Sequence, residues 1–247
     1  MLPFASFDLS DMTLSCLWSG KSIAARWTRI FAVASMNEIK LFVAARAANP
    51  RVIFNGRFAV SNKSKSLFET ALEELGGVLA RIDESRIDAA CKMLAGARQI
   101  VVYGCGREAL QVKGFAMRLY HLGLPVSVVA DMNTPPLGQG DVFLVSSGPG
   151  ETSTVLTLMQ VARQAGATNL LLTAQAEASA ARLADFTLLI PAQTMANDQG
   201  AQKTSVLPMG SVFEGALFLL FEVMVLKLRE LIGASPEAMR ARHTNME

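Results

Sequence analysis

A three-layer α/β/α sandwich on a five-stranded parallel sheet is the fold class this sequence predicts, and three observations predict it. From residue 66 onward, short and nearly continuous apolar runs alternate with helical segments, the pattern of strands buried on both faces. Two of those runs pass directly into glycine turns that open helices. Hydrophobic residues make up 51% of the 247 and charged residues 18%, enough for a sizeable core and too apolar for a disordered chain.

The elements follow in order. Leu67, Ala71, Leu75, Val78 and Ile82 recur at helical spacing, with Glu69, Glu73 and Glu74 elsewhere on the wheel. A second short helix is predicted over residues 86–94. Residues 99–103 read as a buried strand, followed by a glycine turn and a helix over 108–121. Strands are expected at 126–130, 142–146, 169–173 and 186–190, with helices at 152–164 and 178–183 between them. A polar loop over 191–204 leads to a long apolar helix over 210–231. A last helix starts at Pro236, a favourable first helical position after Ser235. Helices thus lie at both ends of the sheet. In such sheets ligands bind outside the carboxyl ends of the strands, where the strand order reverses.

Charge separates the first segment from the rest. Residues 1–65 hold nine Lys and Arg against three acids, while the remainder carries net −4. The segment has no sustained periodicity and no secretory pattern. It reads as a poorly structured basic extension, a leader or translation upstream of a start at Met12 or Met36. The boundary falls in the polar stretch Ser61-Asn62-Lys63-Ser64-Lys65. A formal net charge of +2 and 7% aromatic residues give no basis for a nucleic-acid platform. Cys16, Cys91 and Cys105 show neither pairing nor metal spacing, which fits a reducing compartment, and two histidines exclude a His-rich metal site. The longest apolar stretch, 206–226, is interrupted by Glu214 and Glu222 and reads as a buried helix, not a membrane span.

Two turns compete for the chemistry. Gly104-Cys105-Gly106-Arg107-Glu108-Ala109 fits the loose dinucleotide pattern G-x-G-x-x-G/A, with Asp131 near the place of a ribose-binding acid. A tight strand-to-helix turn needs such glycines with or without a ligand. The second turn, Ser146-Ser147-Gly148-Pro149-Gly150-Glu151-Thr152-Ser153, is not required by a dinucleotide fold. Its glycines let backbone N–H groups approach an anion, the next helix adds its positive end, and Ser147, Thr152 and Ser153 add hydroxyls. That suits the phosphate of a small molecule; a plain helix cap with turn glycines is the bland alternative.

The second turn resembles the S-G-S-G-E-T phosphate loop of sugar isomerase (SIS) domains. The turn 104–107 resembles their G-x-G-R. Phe115-Ala116-Met117-Arg118-Leu119-Tyr120-His121-Leu122-Gly123 is similar to the F-A-M-R-L-x-H-L-G helix of 6-phospho-3-hexuloisomerases. Residues 205–214 resemble that family's S-x-x-P-M-G-S-x-F-E, and the ending Arg242-His243-Thr244-Asn245-Met246-Glu247 resembles its R-H-A-N-L-E. The matches run in family order from about residue 66 to the end. The resemblance implies a flavodoxin-like SIS sandwich that interconverts 3-hexulose 6-phosphate and fructose 6-phosphate without metal or organic cofactor. It implies functional pairing with a hexulose-phosphate synthase and a homotetramer with sites at subunit contacts. Ser147, Gly148, Pro149, Gly150, Glu151 and Thr152 would form the phosphate loop, with Ser205 in a second matched motif near the site. Glu214 would be the catalytic base, and His243 a terminal histidine reaching a neighbouring site. Three residues depart from the pattern: Pro149 removes a hydroxyl and an N–H from the loop, Glu108 replaces a frequent serine, and Thr204 a frequent glutamine.

Moving a carbonyl between C3 and C2 passes through a 2,3-enediol(ate), and one carboxylate over that edge can make both proton transfers. Burial would raise the pKa of Glu214 toward the useful range, and the helix dipole would oppose the rise. Arg107 opens a helix whose dipole repels it, so it pairs either with phosphate or a developing oxyanion, or with a neighbouring acid. The helix over 210–231 is apolar nearly all round, and a second subunit is its expected outer cover. A phosphosugar sensor, an isomerase of another phosphosugar such as arabinose 5-phosphate, and a dinucleotide oxidoreductase remain as alternatives. No helix-turn-helix pattern precedes residue 66. Intracellular phosphates as substrates make the cytoplasm the expected location, with no membrane and no nucleic-acid partner.

Overall fold

The computed structural model describes residues 65–246, and residues 65–247 form one compact unit. The readings of the basic extension, apart from Lys65, lie outside the described residues. Helix α1 (Leu67–Leu79) begins at Ser66, whose Oγ accepts the Glu69 N–H while the Glu69 carboxylate accepts the Ser66 N–H. This reciprocal cap satisfies two donors that the helix itself leaves without partners. The helix stops short of Ile82, because Asp83 takes extended backbone to cap α2 (Glu84–Ala95). Asp83 Oδ1 accepts the Ser85 N–H at 2.9 Å, which starts α2 two residues before the predicted position.

The remaining elements are β1 (Ile100–Gly104), α3 (Gly106–Leu122), β2 (Val126–Val128), β3 (Val142–Ser146), α4 (Ser153–Gln164), β4 (Thr168–Thr173), α5 (Ser179–Leu183), β5 (Phe186–Leu189), α6 (Ser211–Ile232) and α7 (Pro236–Ala241). All five strands are parallel, in the order β2-β1-β3-β4-β5. The predicted sandwich is therefore the observed one. Strand β2 is shorter than predicted: Ala130 sits at φ 76°, in the left-handed region, and cannot extend a strand.

Alternate strand residues feed two cores. Ile100, Val102, Leu144, Leu170 and Leu172 pack with α1, α2, α3 and α6. Val101, Phe143, Val145 and Leu171 pack with α4 and α5 on the opposite face. Phe115 of α3 stacks on Phe221 of α6, ring centroids 4.2 Å apart and planes nearly parallel, which locks these two helices side by side. The outer face of α6 leaves Phe218, Val223 and Leu226 exposed, and α1 leaves Leu67, Phe68 and Leu72 exposed. Among the described residues, no helix is long and apolar enough to cross a membrane.

The chain leaves β1 toward β2 on one side and returns to β3 on the other. Gly104 and Ser146, the last residues of β1 and β3, are paired in register. The strand order reverses here, so the two following loops diverge and leave a crevice. One loop residue tolerates no side chain. Gly150 has φ 71°, and a Cβ there would come within 2.4 Å of Ala178 Cβ at the start of α5. Gly150→Ala is expected to cost at least about 2 kcal/mol, from the left-handed backbone and the overlap together. Urea unfolding of the two proteins measures it.

Candidate active site

The loop after β3 is tied down from below. Ser147 is buried, its N–H donates to the Leu172 carbonyl at 3.0 Å, and its Oγ accepts the Gly150 N–H at 3.1 Å. The Gly148 carbonyl accepts from the Ala174 N–H and from Thr173 Oγ1, both on the β4 side. Thr152 caps α4 by its backbone, and its hydroxyl is 3.1 Å from that of Ser147 instead of closing the helix end. The first amides of α4 therefore keep their positive end without a side-chain cap. Pro149 contributes no donor. Glu151 points away: its carboxylate accepts the Ser179 N–H at 2.7 Å, which caps α5 and holds the acid below the usual carboxylate range. Of the expected phosphate loop, Ser147, Gly148 and Thr152 present polar groups together, whereas Glu151 serves the neighbouring helix.

Two acids and one cation face this loop from α3 and α6. Glu214, in the first turn of α6, is buried, and its Oε2 is 2.9 Å from Arg107 Nη2 in an ion pair that lacks hydrogen-bond geometry. Arg107 Nη1 donates to Ser211 Oγ at 3.0 Å. Arg107 thus has its acid, and that acid is the candidate base. Burial pushes the Glu214 carboxyl above its ordinary value, with Arg107 pulling the other way. Glu108, in the first turn of α3, receives the Ser146 hydroxyl at 2.5 Å and the Gly148 N–H at 3.0 and 3.2 Å. Burial raises its pKa as well; the Ser146 and Gly148 bonds oppose the rise, and the charge of Glu214 adds to it.

Two other expected residues have partners of their own. Ser205 is buried, but its hydroxyl donates to Glu74 of α1 at 2.5 Å and accepts the Leu207 N–H. Glu74 also accepts the Val206 N–H, and Gln193 Oε1 accepts the N–H groups of Thr204 and Ser205. Ser205 thereby fastens the 191–210 loop to α1. The His243 ring lies 5.2 Å from that of His121, near the carboxyl end of α3. Arg107 opens that helix, so about 20 Å of helix separates His243 from the acids of the same chain. Sequence reasoning missed Thr194, a buried residue whose Cγ2 would be 3.1 Å from a Cβ on Gly148. Its loop has no periodic pattern from which that placement follows.

Two acids, Glu214 buried and Glu108 half-buried, beside an open helix end at the reversal of a parallel sheet, define a class. The model of the SIS domain family matches residues 93–217, and the chain belongs to that family. It is 35% identical over 176 residues to the 3-hexulose-6-phosphate isomerase of Bacillus subtilis (strain 168), covering 71% of this chain and 95% of that enzyme. The enzyme of the same name from Methylomonas aminofaciens is 35% identical over 180 residues, 72% of this chain and 97% of its own length. Among solved structures, a hypothetical protein from Methanococcus jannaschii, described as inferring a molecular function of 3-hexulose-6-phosphate isomerase, superposes with TM-score 0.63 at 22% identity. That likeness covers 71% of this chain and 98% of the other and concerns the fold. SIS membership accounts for the Gly104 turn without a dinucleotide.

The raised pKa of Glu108 links protonation to stability. A carboxyl whose folded pKa exceeds its unfolded one favours folding below the unfolded pKa, and that contribution is lost as pH rises through the folded pKa. Glu108→Gln cannot ionise. Its melting temperature minus that of the wild type is expected to increase from about pH 4 to about pH 8. A difference independent of pH, measured by thermal melts, contradicts the assignment.

Proposed function

We propose that the protein is a phosphosugar isomerase that interconverts 3-hexulose 6-phosphate and fructose 6-phosphate through a 2,3-enediol(ate), with Glu214 as acid and base. The observation that carries this reading is the buried Glu214 carboxylate, ion-paired to Arg107 beside the 147–152 loop. The names of the relatives support the same substrate.

The reaction is an internal redox step and needs no external oxidant. The phosphate binds in the 147–152 loop, at the Gly148 N–H and the open amides of α4, with the hydroxyls of Ser147 and Thr152. This leaves the C2–C3 edge of the sugar for Glu214. Its carboxylate takes the proton from C2 of the 3-ketose, the C–H electron pair forms the C2=C3 double bond, and the C3 carbonyl oxygen becomes the enediolate oxygen. The proton of the C2 hydroxyl then passes to the C3 oxygen, the electron pair left on O2 forms the C2 carbonyl, and the C2=C3 pair takes the proton back from Glu214 at C3, which restores the carboxylate. Burial makes Glu214 a stronger base than a solvated carboxylate, and Arg107 is positioned to hold the developing oxyanion. A part for His243 requires a second copy, whose α3 end would approach this crevice. The exposed apolar faces of α1 and α6 support homo-oligomerisation, with a tetramer as the family-based expectation. A synthase forming the 3-ketose phosphate would supply the substrate.

Proton NMR of fructose 6-phosphate in D2O tests the reading. The C3 hydrogen is expected to wash out and the C1 hydrogens to persist. Glu214→Gln should slow that wash-out by about 100-fold or more. Wash-out at C1, or binding with no exchange, overturns the assignment, the second result pointing to a sensor. Arg107→Gln tests the ion pair separately. Without the guanidinium the Glu214 pKa rises further, so the acid limb of the pH–rate profile should move to higher pH. An unmoved limb refutes the coupling.

A further inference from the structure

The Glu108 carboxylate already stands where the loop would receive an anion. Of the loop amides over 147–150, that of Ser147 is spent on Leu172, Pro149 has none, and that of Gly150 turns back onto Ser147. The Gly148 N–H is the remaining donor, and both Glu108 oxygens lie within 3.2 Å of it. The Ser146 hydroxyl, at the tip of β3, is given to the same carboxylate. The surroundings are close: a Cβ on Gly148 would be 3.1 Å from Thr194 Cγ2 and 3.2 Å from Phe213 Cδ1. One amide in such a space cannot serve a carboxylate and a phosphate dianion together, because like charges at contact repel strongly where water is scarce.

We propose that Glu108 is a resident competitor, a carboxylate that the phosphate of a ligand must displace from the Gly148 amide and the Ser146 hydroxyl. A free anion has only the loop with which to offset that displacement. A phosphosugar also brings its sugar to Glu214 and Arg107, so the displaced acid discriminates in favour of the whole ligand. The discrimination between phosphosugar and free phosphate rests on the isomerase reading; the competition with phosphate does not.

The probe is inorganic phosphate, titrated calorimetrically into the full chain and its Glu108→Ser and Glu108→Gln variants. Loss of the carboxylate should tighten phosphate binding by at least about tenfold in the serine variant, the worth of one charge-assisted hydrogen bond. The glutamine variant should also bind more tightly, since its amide carries no charge. Binding equal to or weaker than wild type in both variants, undetectable binding included, overturns the proposal. If circular dichroism shows that the serine variant has not folded, the glutamine variant alone decides. Fructose 6-phosphate separates the two readings. A tighter phosphate titration with no C3 exchange in any of the three proteins retires the isomerase assignment and leaves the competitor in place.

Discussion

Leu144, Val145, Leu170, Leu171 and Leu172 are all fully buried, alternately on one face of the sheet and on the other. A parallel sheet covered on both sides admits a polar side chain along its central strands only where it finds partners, as buried Asn169 does in donating to the Met159 and Leu183 carbonyls, because each unpaired polar group there costs free energy. Hydroxyls and carboxylates are pushed to the strand ends. Ser146 closes β3 and Thr173 closes β4, both buried and both hydrogen-bonded at the edge. The order reversal between β1 and β3 then makes one of those edges a crevice instead of a packed rim. The acids and hydroxyls of the crevice owe their place to that segregation.

Three glutamates around the crevice show how far environment overrides residue type. Glu151 is exposed, accepts a backbone N–H and is held acidic. Glu214 is buried beside a guanidinium whose own side chain is 60% exposed. Water weakens what Arg107 offers, and burial prevails. Glu108 has two good hydrogen bonds and is still pushed up, because it loses hydration and faces another acid. Two carboxyls with raised proton affinity at the mouth of one loop suit an acid–base site better than a structural ion-pair network.

The architecture was readable from local pattern. The predicted strand 142–146 coincides with β3, and Pro236 after Ser235 starts α7. Misses came from backbone choices that periodicity does not register: the Asp83 cap and the left-handed Ala130. At the site, Glu214, Arg107 and the loop were identifiable one at a time. Their pairings were not. Glu108 meets Ser146 across 38 positions and Gly148 across 40, and Ser205 meets Glu74 across 131. A single sequence carries no spacing rule for such contacts, so the hold of Glu74 on the Ser205 hydroxyl was not readable. Glu108 stood out only as a departure from a motif, which marks a position without naming its partners.

The Glu74 clamp gives α1 a mechanical character. One carboxylate holds the Ser205 hydroxyl and the Val206 N–H, a few residues before the start of α6 and Glu214. The same helix begins at the Ser66–Glu69 cap, the point where the preceding chain joins it. Val78 of the same helix packs into the core beside the strands, so α1 ties the start of the described domain both to the sheet and to the loop ahead of Glu214.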